Sequence, residues 1–104
     1  YLIEPRIKRV SFLNFVKASL KLENLTVICS RVEEVKDLQV DLITSRAVTN
    51  TSLLLDITKN IKKENSSYLF YKGSMLESEI EIAKINDYKI VNRKDRNYLY
   101  IKGK

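Results

Sequence analysis

The run Val40-Asp41-Leu42-Ile43-Thr44-Ser45-Arg46, followed by Thr49-Asn50-Thr51-Ser52-Leu53-Leu54 and then by Ser67-Tyr68-Leu69-Phe70-Tyr71, decides the fold. Its first part is short, apolar and β-branched, the pattern of a buried strand, and it ends in a serine and a cation. The second part supplies N-cap residues for a helix whose Leu53, Leu54, Ile57 and Ile61 fall on one face and whose end is expected near Lys62 or Lys63. The third part, Ser67 to Tyr71, reads as a strand again. Strand, helix and strand in that order imply a right-handed crossover between parallel neighbours.

Upstream the same alternation holds. Tyr1-Leu2-Ile3 is an apolar run that stops at Glu4-Pro5, and Val10, Leu13, Val16 and Leu20 then recur at helical spacing, with Phe12 and Phe15 widening the stripe. A helix over Arg6 to Leu22 follows from that spacing, with Asn24 at its end and a strand at Leu25 to Cys29. Arg31-Val32-Glu33-Glu34 suits a single helical turn. Downstream, Lys72-Gly73 reads as a turn and Leu76, Ile80 and Ala83 as the apolar line of a further helix. Tyr88 to Val91 and Tyr98 to Ile101 flank a short polar loop and so form an antiparallel hairpin. The expected class is α/β, a mostly parallel sheet closed by a C-terminal antiparallel hairpin. In such sheets ligands bind beyond the carboxyl ends of the strands, which directs attention to Glu4, Ser30 to Glu33, Ser45-Arg46 and Lys72-Gly73.

Composition narrows the chemistry. The 104 residues contain no histidine and one cysteine, so no Ser-His-Asp triad, Cys-His pair, His-based zinc site or intrachain disulfide can be built. Nineteen Lys and Arg against 13 Asp and Glu give a net charge of +6, concentrated in the first and last thirds. An anionic partner and a plain solubilising bias both account for that excess. No apolar stretch reaches the length of a membrane span and no signal-peptide pattern opens the chain, so it reads as cytoplasmic and free of membrane. It starts without methionine, directly in an apolar run, as the middle of a longer protein would.

Each strand end has two readings. Glu4 can accept hydrogen bonds from both hydroxyls of a ribose, or stand as a solvated residue before Pro5. Arg46 faces either an anionic ligand or a surface carboxylate. Lys72-Gly73 suits phosphate or a simple turn. Cys29 has no base or cation beside it in sequence and reads as a small core residue. Tyr98 and Tyr100 alternate with Leu99 and Ile101 as in a half-buried strand, where packing is the default.

Taken in order, Lys8-Arg9-Val10-Ser11-Phe12-Leu13, Leu22-Glu23-Asn24-Leu25, Ser30-Arg31-Val32-Glu33-Glu34, Asp41-Leu42-Ile43-Thr44-Ser45-Arg46-Ala47, Lys72-Gly73-Ser74-Met75 and Asp95-Arg96-Asn97-Tyr98-Leu99-Tyr100-Ile101-Lys102 resemble the glucose-inhibited division protein B family nearly end to end. These are bacterial methyltransferases of the small-subunit (16S) ribosomal RNA that act on guanine N7 with S-adenosylmethionine. The resemblance implies a partial class I, Rossmann-like methyltransferase sheet with strand order 3-2-1-4-5-7-6 and an antiparallel last strand. Residues 1–104 would be the C-terminal part of a single methyltransferase domain, with the first strand, its glycine loop and the N-terminal helices absent. That part alone would be inactive and prone to self-association through exposed strand edges. The resemblance also implies cofactor contacts at Glu4, Val32, Glu33 and Arg46. Candidates for RNA contact are Lys8, Arg9, Lys72, Arg93, Lys94 and Arg96; a metal is not expected. The competing class is a non-enzymatic α/β module that binds RNA or protein.

Overall fold

The computed structural model describes residues 1–46, 51–72, 88–93 and 96–102. The chain divides into two compact units, Tyr1–Lys36 and Asp37–Lys104.

In the first unit, β1 (Leu2–Ile3) pairs in parallel with β2 (Val27–Ile28) across α1 (Ile7–Ser19), and a 3-10 turn, Val32–Glu34, follows. The parallel ladder extends past the strand ends, because the Glu4 N–H donates to the Ile28 carbonyl at 3.0 Å and the Ser30 N–H to the Glu4 carbonyl at 3.2 Å. Pro5 then ends the extended run: it lacks an N–H and holds the residue before it out of helical geometry.

The helix α1 is shorter than its sequence suggests. Lys21, not Asn24, takes the left-handed conformation (φ 54°), and the Leu22 N–H reaches the Lys17 carbonyl while the Lys21 N–H reaches that of Ala18. This is a Schellman closure, which satisfies the last carbonyls and turns the chain away. Val10, Leu13 and Val16 are half-buried as the spacing requires. Phe12 and Phe15, expected to widen that stripe, are 64% and 68% exposed, and Leu20 is exposed too. The two phenylalanines lie around the helix from the line of Val10, Leu13 and Val16, so the covered stripe is narrower than the apolar content of α1. Cys29 is also exposed, not buried in a core. The strand breaks after Ile28, and the thiol leans over the Pro5 carbonyl at 3.8 Å.

The second unit is built on a mixed sheet ordered β3 (Val40–Ser45), β4 (Lys62–Lys72), β6 (Arg96–Ile101), β5 (Tyr88–Arg93). Strands β3 and β4 are parallel, and β6 runs antiparallel to both its neighbours. That order is the 4-5-7-6 half of the sheet expected from the resemblance, and the β1–β2 pair corresponds to its strands 2 and 3. The crossover between β3 and β4 carries α2 (Thr51–Ile57) and a 3-10 turn, Lys59–Ile61.

Here the second helix stops well before Lys62. The Thr58 hydroxyl donates back to the Leu54 carbonyl at 2.7 Å, and β4 begins at Lys62, five residues earlier than the apolar run Ser67 to Tyr71 indicates. The early part of β4 is irregular: the register with β3 shifts between Val40 and Leu42. The fully buried Ser66 ties it down, donating to the Val40 carbonyl at 2.5 Å and accepting the Lys63 N–H at 2.9 Å. A Lys63–Asp41 ion pair joins the same two strands.

Alternation along the strands then sorts the side chains. Ile43, Tyr68, Phe70 and Leu99 are buried with Leu54 and Ile61 of the crossover, and Phe70 and Leu99, direct partners across β4 and β6, have no exposed surface. Leu54 and Ile61 share the covered side of the crossover, whereas Leu53 is exposed. On the opposite face Tyr71 and Tyr98 meet edge to face with ring centroids 5.0 Å apart. The helix expected around Leu76 to Ala83, the turn at Gly73 and the caps at Thr49 and Asn50 lie outside the described residues.

Candidate functional site

The carboxyl ends of the strands carry the polar chemistry, and each unit carries its own set. In the first unit the set is acidic. Glu4 follows β1, its backbone held on both sides by Ile28 and Ser30, so its Cα is fixed while its side chain remains the adjustable part. Val32 and Glu33 lie in the 3-10 turn one residue beyond Ser30-Arg31, with Val32 half-buried and Glu33 exposed. The Ser30 hydroxyl donates to the Arg31 carbonyl at 2.8 Å. The fold therefore gathers Glu4 and the stretch from Ser30 through the 3-10 turn at the end of one parallel pair, two pieces distant in sequence.

Glu4 has an unusual environment. Its Oε1 is buried and has no hydrogen-bond donor within reach. The nearest cation is Arg9 Nε at 3.8 Å, within ion-pairing distance but beyond a hydrogen bond. An occluded carboxylate oxygen without a donor leaves the group with unused acceptor capacity. A ribose, with two adjacent hydroxyls, fits that chemistry.

In the second unit the set is basic. Arg46 follows β3 and is exposed, and the Ser45 hydroxyl donates to the Arg46 carbonyl at 2.8 Å, as Ser30 does for Arg31. Strand register brings further cations to the same end of the sheet. Ser45 pairs with Phe70, two residues before Lys72; Lys72 pairs with Asn97, and Arg93 with Arg96 at the hairpin's closed end. The backbones of Arg46, Lys72, Arg93 and Arg96 thus share one sheet end. Lys94 lies outside the described residues. Lys8 and Arg9 sit in the first turn of α1, both exposed, and Arg9 is engaged with Glu4.

Sequence reading missed the Glu4–Arg9 pair. Its only trace was the five-residue spacing across Pro5, which gives no cue without the strand-to-helix turn that folds it back. Among the described residues no group of three or more His, Cys, Asp or Glu could hold a metal ion, and no helix is long and apolar enough to cross a membrane.

Residues 1–102 match a family model described as rRNA small subunit methyltransferase G. A ribosomal RNA small subunit methyltransferase G from Aliarcobacter butzleri is 89% identical over 99% of this chain and 53% of its own length. One from Campylobacter fetus is 41% identical over 99% of this chain and 56% of its own. The chain thus spans about half the length of these relatives. Among solved structures, M. jannaschii TYW2 in complex with AdoMet shares the fold with a TM-score of 0.63 at 18% identity, over 97% of this chain and 54% of that one.

Proposed function

The chain belongs to the rRNA small subunit methyltransferase G family, and from that premise we propose that the full-length protein methylates guanine N7 in bacterial 16S ribosomal RNA, with S-adenosylmethionine as methyl donor. The observation that carries this reading is the division of the strand ends into an acceptor without a donor, at Glu4, and a sheet end at which the backbones of Arg46, Lys72, Arg93 and Arg96 come together.

Glu4 receives the ribose hydroxyls, because its carboxylate stands partly exposed at a strand end whose backbone is fixed by the parallel ladder. Val32 and Glu33 border the adenine end, and Arg46 is a cofactor-site residue. When bound, the cofactor supplies an electrophilic methyl group on a sulfonium. The acceptor atom, guanine N7, has a lone pair and no proton, so transfer needs no general base. The protein's work is orientation and exclusion of water. Lys8, Lys72, Arg93, Lys94 and Arg96 hold RNA phosphates, a contact that positions the nucleic acid without reading its sequence. Arg9, grouped with them by sequence, pairs with Glu4 instead. A ribosomal substrate makes the protein cytoplasmic.

The test uses the full-length protein and small ribosomal subunits from a strain lacking this methylation. Transfer of labelled methyl to guanine N7, reduced at least tenfold in Arg46→Ala, is the expected result. Salt-dependent RNA binding with no methyl incorporation would identify a non-enzymatic binding module instead.

A further inference from the structure

We infer that Arg9 is the positioning residue that fixes the Glu4 carboxylate for a nucleoside ribose, an inference that rests on the reading of Glu4 above. Glu4 has its main chain locked on two sides, yet three side-chain torsions lie between that anchor and the carboxylate. Something must choose among their rotamers, because the Oε1 atom is buried without a hydrogen bond. Only 20% of the Glu4 side chain is exposed. The one charged group paired with it among the described residues is the Arg9 guanidinium, Nε at 3.8 Å from Oε1.

The local fold makes that meeting possible. Pro5 ends the extended run after Glu4 and Arg6 is the N-cap, so α1 turns back at once and its third residue lies beside the strand end. The first turn of α1 contains no acidic residue that would compete for Arg9. At 3.8 Å the guanidinium holds the carboxylate through Oε1, the oxygen closed to solvent, without forming a hydrogen bond, and the exposed fifth of the side chain is left to a ligand hydroxyl. Arg9 itself is 66% exposed, so it acts through charge and direction and not by closing a pocket.

The experiment measures affinity of the full-length protein for S-adenosylhomocysteine and for its 2′,3′-dideoxy analogue by calorimetry, in wild type, Arg9→Ala, Arg9→Lys, Glu4→Ala and the double variant. Arg9→Ala is expected to weaken S-adenosylhomocysteine about five- to tenfold, an effect of the size seen when a charge-assisted contact is lost. It should raise the KM for S-adenosylmethionine by a similar factor with kcat within about twofold, and Arg9→Lys should recover most of the loss. The effect should vanish for the dideoxy analogue and in the Glu4→Ala background. Wild-type affinity in Arg9→Ala alongside weakened binding in Glu4→Ala, or additive losses in the double variant, would overturn the role of Arg9 and leave the ribose reading intact. Unchanged affinity in Glu4→Ala would remove that reading and this inference together.

Discussion

Replacing Ser66 by alanine tests how the second unit sets the position of Arg46. The hydroxyl is fully buried and serves two backbone groups, donating to the Val40 carbonyl and accepting the Lys63 N–H. Alanine leaves both without a partner. Each orphaned backbone group costs about 1–3 kcal/mol, and with both bonds only partly buried the lower half of that range applies, or about 2–4 kcal/mol in total. A unit spanning Asp37–Lys104 has a total stability of roughly 3–10 kcal/mol, so the loss is a large share of it. Urea denaturation followed by far-ultraviolet circular dichroism, at unchanged slope, reads it as a shift of the midpoint by about 1–3 M. Ser66→Cys, nearly the same shape with a weaker donor, should lose less. A loss below about 1 kcal/mol in Ser66→Ala would refute the claim that this hydroxyl pins the irregular junction of β3 and β4. The functional corollary follows from register: Ser45 opposes Phe70, and a slip of one residue would expose Ile43 and turn Arg46 to the other face.

Leu99→Ala empties a site with no exposed surface opposite Phe70 and should cost about 2–5 kcal/mol in the same assay, with Tyr100→Ala on the other face costing clearly less. Burial holds the Tyr68 phenol above its ordinary value, with the Thr58 hydroxyl opposing that shift. The folded chain therefore keeps a proton that the unfolded chain loses, and stability should fall as pH rises through about 10 and level off once the folded phenol ionises. Tyr68→Phe should remove that part of the decline in pH-dependent melts, and an unchanged profile would contradict it. Lys8→Ala in the full-length protein should weaken RNA binding uniformly across sequences and reduce the slope of log affinity against log salt by about 1.

Much of this architecture is legible from residue patterns because it depends on local periodicity. The strand at Val40 to Ser45, the hairpin of β5 and β6 and the single turn at Val32 to Glu34 are each specified by a handful of neighbouring residues. The misreadings have a common cause, which is that tertiary partners override local preference. Residues 62–66 lack an apolar pattern, and only a buried serine bonded to Val40, 26 positions away, makes them part of β4. Lys21 takes a left-handed conformation that Asn24 suits better, because the Schellman bonds to Lys17 and Ala18 fall there. Phe12 and Phe15 are apolar without being covered, and amphipathic spacing cannot distinguish a residue facing the sheet from one beside it. At the site, the positions Glu4 and Arg46 follow from strand ends alone, whereas the Glu4–Arg9 pair depends on how sharply Pro5 and Arg6 turn the chain.

Under the function proposed above, the partition of charge between strand ends follows from what the two ligands offer. A nucleoside presents hydroxyl donors, so its site must supply acceptors, and Glu4 brings an acceptor already withdrawn from water, whose desolvation cost is met before binding. RNA presents phosphate oxygens, which are anionic acceptors, so its site must supply donors that remain hydrated and mobile until contact. Lys8 on α1 is exposed, in keeping with that requirement, and the backbones of Lys72, Arg93 and Arg96 lie together at one end of their sheet. Exchanging the two environments would defeat both: an exposed carboxylate hydrogen-bonds water as readily as ribose, and a cation buried before RNA arrives carries an uncompensated charge. A variant that places a hydrogen-bond donor against the Glu4 carboxylate should therefore weaken nucleoside binding even as it stabilises the fold, because that donor competes with the ribose hydroxyls for the same acceptor.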